Sequence, residues 1–147
     1  MSLREKLSDG MKEAMRAKDN LRLSAIRMVR SAVKNRDIEL KRELNDQEIV
    51  EVIATLVKQR RESIRLFSEA GRTDLVEKEE KELNILLCFL PQQMGREEIT
   101  ELVVRIIADC CAQGAKDMGR VMKALMPHVA GRTDGKLVSE IVREKLG

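Results

Sequence analysis

Apolar side chains recur at spacings of three and four residues along almost the whole chain. The first such run, Leu3, Leu7, Met11, Ala14 and Met15, is typical. Side chains at these spacings lie on one face of an α-helix, whereas a strand would need alternation, which does not extend here over more than a few residues. The pattern predicts an all-α protein in which each helix buries one stripe.

Residues that favour helix ends divide this pattern into segments. Ser2, Asp19 or Asn20, and Asn45 are candidate N-caps, because their side chains can accept hydrogen bonds from free amides of a first turn. Glycine and proline mark the other ends. We expect helices to about Lys18, from 20 to about Leu44, from 46 to Ala70-Gly71, from Thr73 or Asp74 to Leu90, and from Arg96 to Gln113, with two short helices after that.

The best domain boundary is the segment Gln92–Gly95, which follows Pro91 and separates two apolar patterns with polar residues and a glycine. The sequence therefore predicts a multi-helical N-terminal domain of about residues 1–92. A small three-helix C-terminal domain of about residues 95–147 follows it.

The stretch from Lys116 to Val138, called the 116–138 corner below, reads as a short helix, a turn and the start of a last helix. Asp117 is a candidate N-cap, and Pro127 should kink or end the helix near its C-terminal turn. Gly131 is placed for a left-handed conformation, and Asp134 for capping the final helix. The turn and motif residues of this corner are Gly119, Met122, Gly131, Asp134 and Gly135.

Charge is unevenly distributed, although the net charge is only +3. Residues 1–44 carry 12 basic and 7 acidic side chains, whereas residues 45–94 carry 7 and 10. Two mildly basic ends therefore flank an acidic middle, which permits contact with a phosphate backbone without requiring it.

Residues for catalysis or for metal binding are scarce. His128 is the only histidine, and Cys88, Cys110 and Cys111 lack the spacing of metal ligands. No phosphate loop, metalloprotease motif or nucleophile elbow occurs. We expect no catalytic site, no metal and no cofactor. Since the N-terminus is charged from Arg4 onward and no apolar run is long enough for a bilayer, we also expect a soluble cytoplasmic protein without membrane contact.

Basic residues of the 116–138 corner are the best candidates for a binding surface. They are Lys116, Arg120, Lys123, Arg132 and Lys136. Together with nearby helix N-termini they predict contact with the phosphate backbone of a structured RNA, while the lack of aromatic residues argues against reading of bases. Two alternatives remain open: a solvated helix face, or a protein partner that docks on Met118 and Met122.

Three segments of the chain resemble the YqeY family of small bacterial proteins. They are MSLREKLSDGMKEAMRAKDNLRLSAIRMVRSAVKN, LVKQRRESIRLFSEAGRTDLVEKEEKELNILLCFLP and KDMGRVMKALMPHVAGRTDGKLVSEIV. The C-terminal part of that family is similar to the tail of the GatB subunit of the aspartyl/glutamyl-tRNA amidotransferase. The resemblance implies two helical units, with the tail unit contributing to tRNA binding. It does not imply amide transfer, although an accessory role in that carbon-nitrogen ligase reaction is a third possibility.

Overall fold

The computed structural model describes residues 2–147, and no strand occurs in that range. The predicted all-α fold is confirmed. The helices are α1 (Leu3–Ala17), α2 (Asn20–Leu40), α3 (Asp46–Glu69), α4 (Thr73–Leu87), α5 (Arg96–Asp109), α6 (Met118–Val129) and α7 (Gly135–Leu146), with a 3-10 turn at Ala115–Asp117. The chain divides into two compact units, one ending at Pro91 and the other running from Gln92 to Gly147.

The first unit consists of α1–α4 around an aliphatic core. Its fully buried side chains include Leu7, Ile26, Ile49, Ile53 and Leu86. Each comes from the apolar stripe of its helix, and burial of one such side chain contributes about 1.5–3 kcal/mol. Helix α3 packs along α4, and α1 packs along α2. None of the helices described between residues 2 and 147 combines the length and the apolar character needed to cross a bilayer.

Gly10 lies in the middle of α1, where glycine is unfavourable by about 1 kcal/mol relative to alanine. It is buried, and a Cβ atom at this position would lie 3.2 Å from Cζ of Phe89 and 3.3 Å from Cδ1 of Ile26. The missing side chain therefore allows the Phe89 ring to pack directly on the α1 backbone. Arg22 covers the same ring, with its guanidinium carbon 5.9 Å from the ring centroid.

Three predicted N-caps are confirmed. The side chains of Ser2, Asp19 and Asn45 accept hydrogen bonds from the amides of Glu5, Arg22 and Glu48. The Glu48 carboxylate also accepts the Asn45 amide at 3.1 Å, which completes a capping box.

Three helices end earlier than predicted. Helix α2 ends at Leu40 instead of Leu44, and α4 ends at Leu87, before the expected Leu90. Helix α5 ends at Asp109 rather than Gln113, because Cys111 adopts a left-handed conformation with φ of 53°. The same conformation at Lys41, with φ of 56°, follows the end of α2. The sequence pattern does not predict left-handed residues other than glycine.

The segment between α2 and α3 is fixed by two carboxylates. Asp37 accepts two hydrogen bonds of 3.1 Å from the Arg4 guanidinium and one of 2.8 Å from the Leu44 amide. These bonds lower the pKa of Asp37, with the Arg4 hydrogen bond as the largest cause. Glu48 accepts two hydrogen bonds of 2.8 Å from Arg42, which together with the Asn45 amide lower its pKa to about 2.

The second unit consists of α5–α7 around a core that includes Ile99, Val103, Val121, Leu125 and Ile141. Gly131 has the predicted left-handed conformation, with φ of 73°, and Asp134 caps α7 by accepting the Lys136 amide at 3.1 Å. The expected role of Asp117 as a side-chain cap of α6 is wrong. Its carboxylate instead accepts the amide of Gln113, which precedes it in the chain, at 2.9 Å.

Arg132 joins the start of the second unit to the turn between α6 and α7. Its Nε donates to the Gln92 carbonyl at 3.0 Å, and its own carbonyl accepts the Met94 amide at 2.7 Å. The Gln93 side chain donates to the Gly131 carbonyl at 2.8 Å. Residues 92–94 are therefore held on this turn by three hydrogen bonds.

Glu48 should make the stability of the first unit sensitive to acid. Because its pKa is about 2 in the folded chain and 4.5 ordinarily, its contribution to stability is complete above pH 4.5 and is lost as the pH falls toward 2. We expect Glu48→Gln to reduce the loss of urea resistance between pH 7 and pH 2.5. The matched control is Glu51→Gln, on an exposed residue of the same helix. An equal effect of both substitutions would contradict the prediction.

Arg132→Ala should destabilise the second unit, because it removes a charge-assisted hydrogen bond to a backbone carbonyl. We expect a loss of about 1–3 kcal/mol in unfolding free energy. Native-state amide exchange in α5–α7 would measure it separately from α1–α4. Lys136→Ala, on an exposed side chain of α7, should stay within about 0.5 kcal/mol of the parent. Unchanged protection of the Met94 amide in Arg132→Ala would overturn this assignment.

Candidate nucleic-acid interface

The five predicted basic residues lie along α6 and at the start of α7. Lys116 is in the 3-10 turn before α6, Arg120 and Lys123 are in α6, Arg132 is in the following turn, and Lys136 is in the first turn of α7. Helix α6 has 12 residues, so about 18 Å of helix separates its two ends. Lys116 precedes α6 and Arg132 follows it, so these two cations lie at opposite ends of the helix.

Two of the five cations already have partners. Arg120 Nη2 lies 3.3 Å from a carboxylate oxygen of Asp117, and Arg132 Nη2 lies 3.7 Å from one of Glu98. Arg132 is also half-buried and bonded to the Gln92 carbonyl. The remaining three, Lys116, Lys123 and Lys136, are exposed, and among residues 2–147 no carboxylate lies within ion-pair distance of them.

Gly119 lies between two of these lysines. Lys123 follows it by four residues, which is the spacing of neighbours on one face of α6, and Lys116 precedes it by three residues, in the 3-10 turn. Gly119 is exposed, has no positive φ, and a Cβ atom there would have no neighbour within 4 Å. Neither backbone conformation nor packing requires glycine at this position. Bare helix backbone is therefore exposed at Gly119, between Lys116 and Lys123 in the sequence.

The starts of the helices are less suited to an anion than the sequence suggested. At α7 the Asp134 carboxylate accepts the Lys136 amide, and before α6 the Asp117 carboxylate accepts the Gln113 amide. Both carboxylates place negative charge where a phosphate would have to approach. Any phosphate on this surface would therefore be bound by side chains.

The methionines of the corner mostly face inward. Met118 and Met122 are half-buried and pack against the core of the second unit. Met126, one turn after Met122, is instead 51% exposed. The predicted docking residues for a protein partner are therefore largely used within the fold.

His128 is exposed near the end of α6 and lines a shallow depression of about 270 Å³. The other residues around it are Met94, Glu98, Glu101, Leu102, Arg105 and Arg132. Within the part of the chain that the structure describes, no group of three or more His, Cys, Asp or Glu side chains could hold a metal ion.

Curated relatives are found among fungal proteins named altered inheritance of mitochondria protein 41, mitochondrial. The chain is 43% identical to the Kluyveromyces lactis protein over 70% of its own length and 57% of that protein. It is 31% identical to the Pyrenophora tritici-repentis protein over 97% of its length and 80% of that protein. A Saccharomyces cerevisiae protein is 38% identical over 58% of this chain and 47% of that protein. The chain thus spans about half the length of the Kluyveromyces and Saccharomyces proteins.

The cytoplasmic location expected from the sequence is wrong, because these relatives are named as mitochondrial proteins. The bacterial origin that the resemblance implied is not supported either, because these relatives are fungal. The physical reason is that the expectation depends only on tests for apolar segments. A mitochondrial presequence is instead amphipathic and rich in arginine, so neither a charged N-terminus nor short apolar runs argue against one.

The family model described as Yqey-like protein matches residues 4–146, from the first turn of α1 to the last residue of α7. The 31% identity to the Pyrenophora protein over 97% of this chain agrees with that match. This protein therefore belongs to the YqeY-like family.

Proposed function

We propose that this protein is a non-catalytic accessory module that binds the sugar-phosphate backbone of a structured RNA, such as tRNA, through its second unit. The observation that carries the proposal is the set of three exposed lysines, Lys116, Lys123 and Lys136, that lack carboxylate partners in the described chain. Unpaired cations can bind phosphate without first breaking an internal ion pair.

Two further features support contact with the RNA backbone rather than with RNA bases. The bare surface at Gly119 lets a phosphate approach the helix between Lys116 and Lys123. Both phenylalanines, Phe67 and Phe89, precede residue 92, so the second unit has no Phe, Tyr or Trp on which a base could stack, and its one imidazole is that of His128. The resemblance of this unit to the tail of the GatB subunit of the amidotransferase points in the same direction, and the names of the relatives favour a role in mitochondria.

A protein partner is the alternative for the same corner. The inward packing of Met118 and Met122 leaves Met126 as the exposed apolar residue of α6, which is a small surface for docking. Assistance to amide transfer on tRNA, the third possibility, would use the same RNA surface and would add a requirement for the amidotransferase itself.

The triple variant Lys116→Ala, Lys123→Ala and Lys136→Ala tests the RNA surface. Binding of the parent to total tRNA should weaken between about 50 and 200 mM salt, and the variant should reduce the slope of log K against log salt by about two to three. The matched control removes three exposed lysines of the first unit, Lys12, Lys58 and Lys78. Equal losses in the two triple variants, or no binding of the parent at low salt, would overturn the proposal.

Gly119→Ala tests whether the RNA backbone must approach the α6 backbone closely at this position. Alanine is favoured over glycine in a helix by up to about 1 kcal/mol, and the added methyl group has no neighbour to clash with. Thermal stability should therefore rise or stay the same while affinity for tRNA falls. An unchanged affinity would remove Gly119 from the binding surface and leave the lysines as the only contacts.

A further inference from the structure

An open groove of about 700 Å³ runs between α1 and α2 in the first unit. Leu7, Met11 and Val33 contribute its apolar residues, and Ser8 and Ser31 contribute hydroxyl groups from the two helices. Its volume is within the range of about 300–1,000 Å³ that is usual for sites of small ligands. The surface proposed above for RNA belongs to the other unit and takes no part in this groove.

A stripe of three cations, Arg27, Arg30 and Lys34, follows one side of the groove. Their spacings of three, four and seven residues place them on one face of α2. All three are exposed, and within residues 2–147 no carboxylate lies within ion-pair distance of any of them. Most other arginines of the first unit differ, because Arg4, Arg36, Arg42, Arg60, Arg65 and Arg72 each pair with a carboxylate.

Arg30 is held across the groove by α1, since its Nη1 donates to the Met11 sulfur at 2.8 Å. A thioether carries no charge and is a weak acceptor. The contact therefore orients the guanidinium without neutralising it, and its other donors remain available to a ligand.

The carboxylates of the groove do not balance this charge. Asp37 is occupied by Arg4 and by the Leu44 amide, which leaves Glu5 as the second acidic residue of the lining. The lining thus contains four cations and two carboxylates. In a partly enclosed site this excess favours an anion of two charges or more.

We propose that the α1–α2 groove binds two adjacent phosphate groups, with Arg27, Arg30 and Lys34 on the phosphate oxygens and the hydroxyls of Ser8 and Ser31 as additional donors. Arg27 and Lys34 are seven positions apart, which corresponds to about 10 Å of helix and is longer than a single phosphate needs. Arginine and lysine are the side chains that bind phosphate best. None of the described residues that line the groove is aromatic, so recognition is of the phosphates rather than of a base.

Two sources can supply such a pair of phosphates: a free diphosphate, or consecutive linkages of a nucleic-acid strand. Titration of the full chain with inorganic pyrophosphate, followed by amide chemical shifts of residues 8–11 and 27–34, tests the first source. A short single-stranded RNA tests the second. Binding of either probe at these residues should persist in the Lys116, Lys123 and Lys136 triple variant, which separates this groove from the surface on the second unit.

Arg27→Gln combined with Lys34→Gln should weaken binding of the effective probe at least about tenfold. The control pair Arg16→Gln and Lys58→Gln removes the same charge from exposed positions outside the groove and should have little effect. Ser31→Leu keeps every charge but fills the groove, and it should also weaken binding. Equal losses in the control pair, full binding by Ser31→Leu, or no shifts with either probe up to about 10 mM would overturn the proposal.

Discussion

The cores of both units are built from aliphatic side chains, since the chain contains two phenylalanines and no other aromatic residue. Every buried apolar residue between residues 2 and 147 is Leu, Ile, Val or Ala, and no polar or charged residue is buried there. Such side chains fill a core only when each helix turns one apolar stripe inward. The opposite faces are left charged, and binding is expected on those faces.

On these faces, whether a cation has an ion-pair or hydrogen-bond partner matters more for ligand binding than the number of cations. Arg60 illustrates the point: it lies between Glu79 and Glu82, at 3.3 and 2.9 Å, and joins α3 to α4. Arg132 likewise binds a carbonyl of its own unit. Cations used in this way stabilise the fold and are poorly available to a ligand. Lys116, Lys123 and the Arg27–Lys34 stripe differ because nothing in the described chain neutralises them, and for that reason both proposals rest on them.

The helices and their order follow from the apolar spacing, and the N-caps follow from Ser2, Asp19 and Asn45. The C-termini follow less well from the sequence, because glycine is the usual sequence sign of a left-handed residue. Lys18, Lys41, Cys111 and Gly71 all adopt that conformation. In each case the amide of the following residue donates a hydrogen bond to the carbonyl five residues before it, as from Asp19 to Ala14 and from Ala112 to Ile107. Only one of the four is glycine, so three of these ends have no glycine signal.

The candidate sites depend on contacts between distant segments, which a pattern within one segment of the sequence does not reveal. The sequence shows Arg27, Arg30 and Lys34 on one helix face, but a groove exists only because α1 packs beside that face and Met11 reaches Arg30. By sequence Arg132 is equivalent to Lys123, but its hydrogen bond to Gln92, 40 residues away in sequence, distinguishes it. Gly10 and Gly119 likewise show that the local sequence does not reveal what surrounds a residue. Both are glycines within helices, but Phe89 packs on the first, whereas no described residue would lie within 4 Å of a Cβ atom at the second.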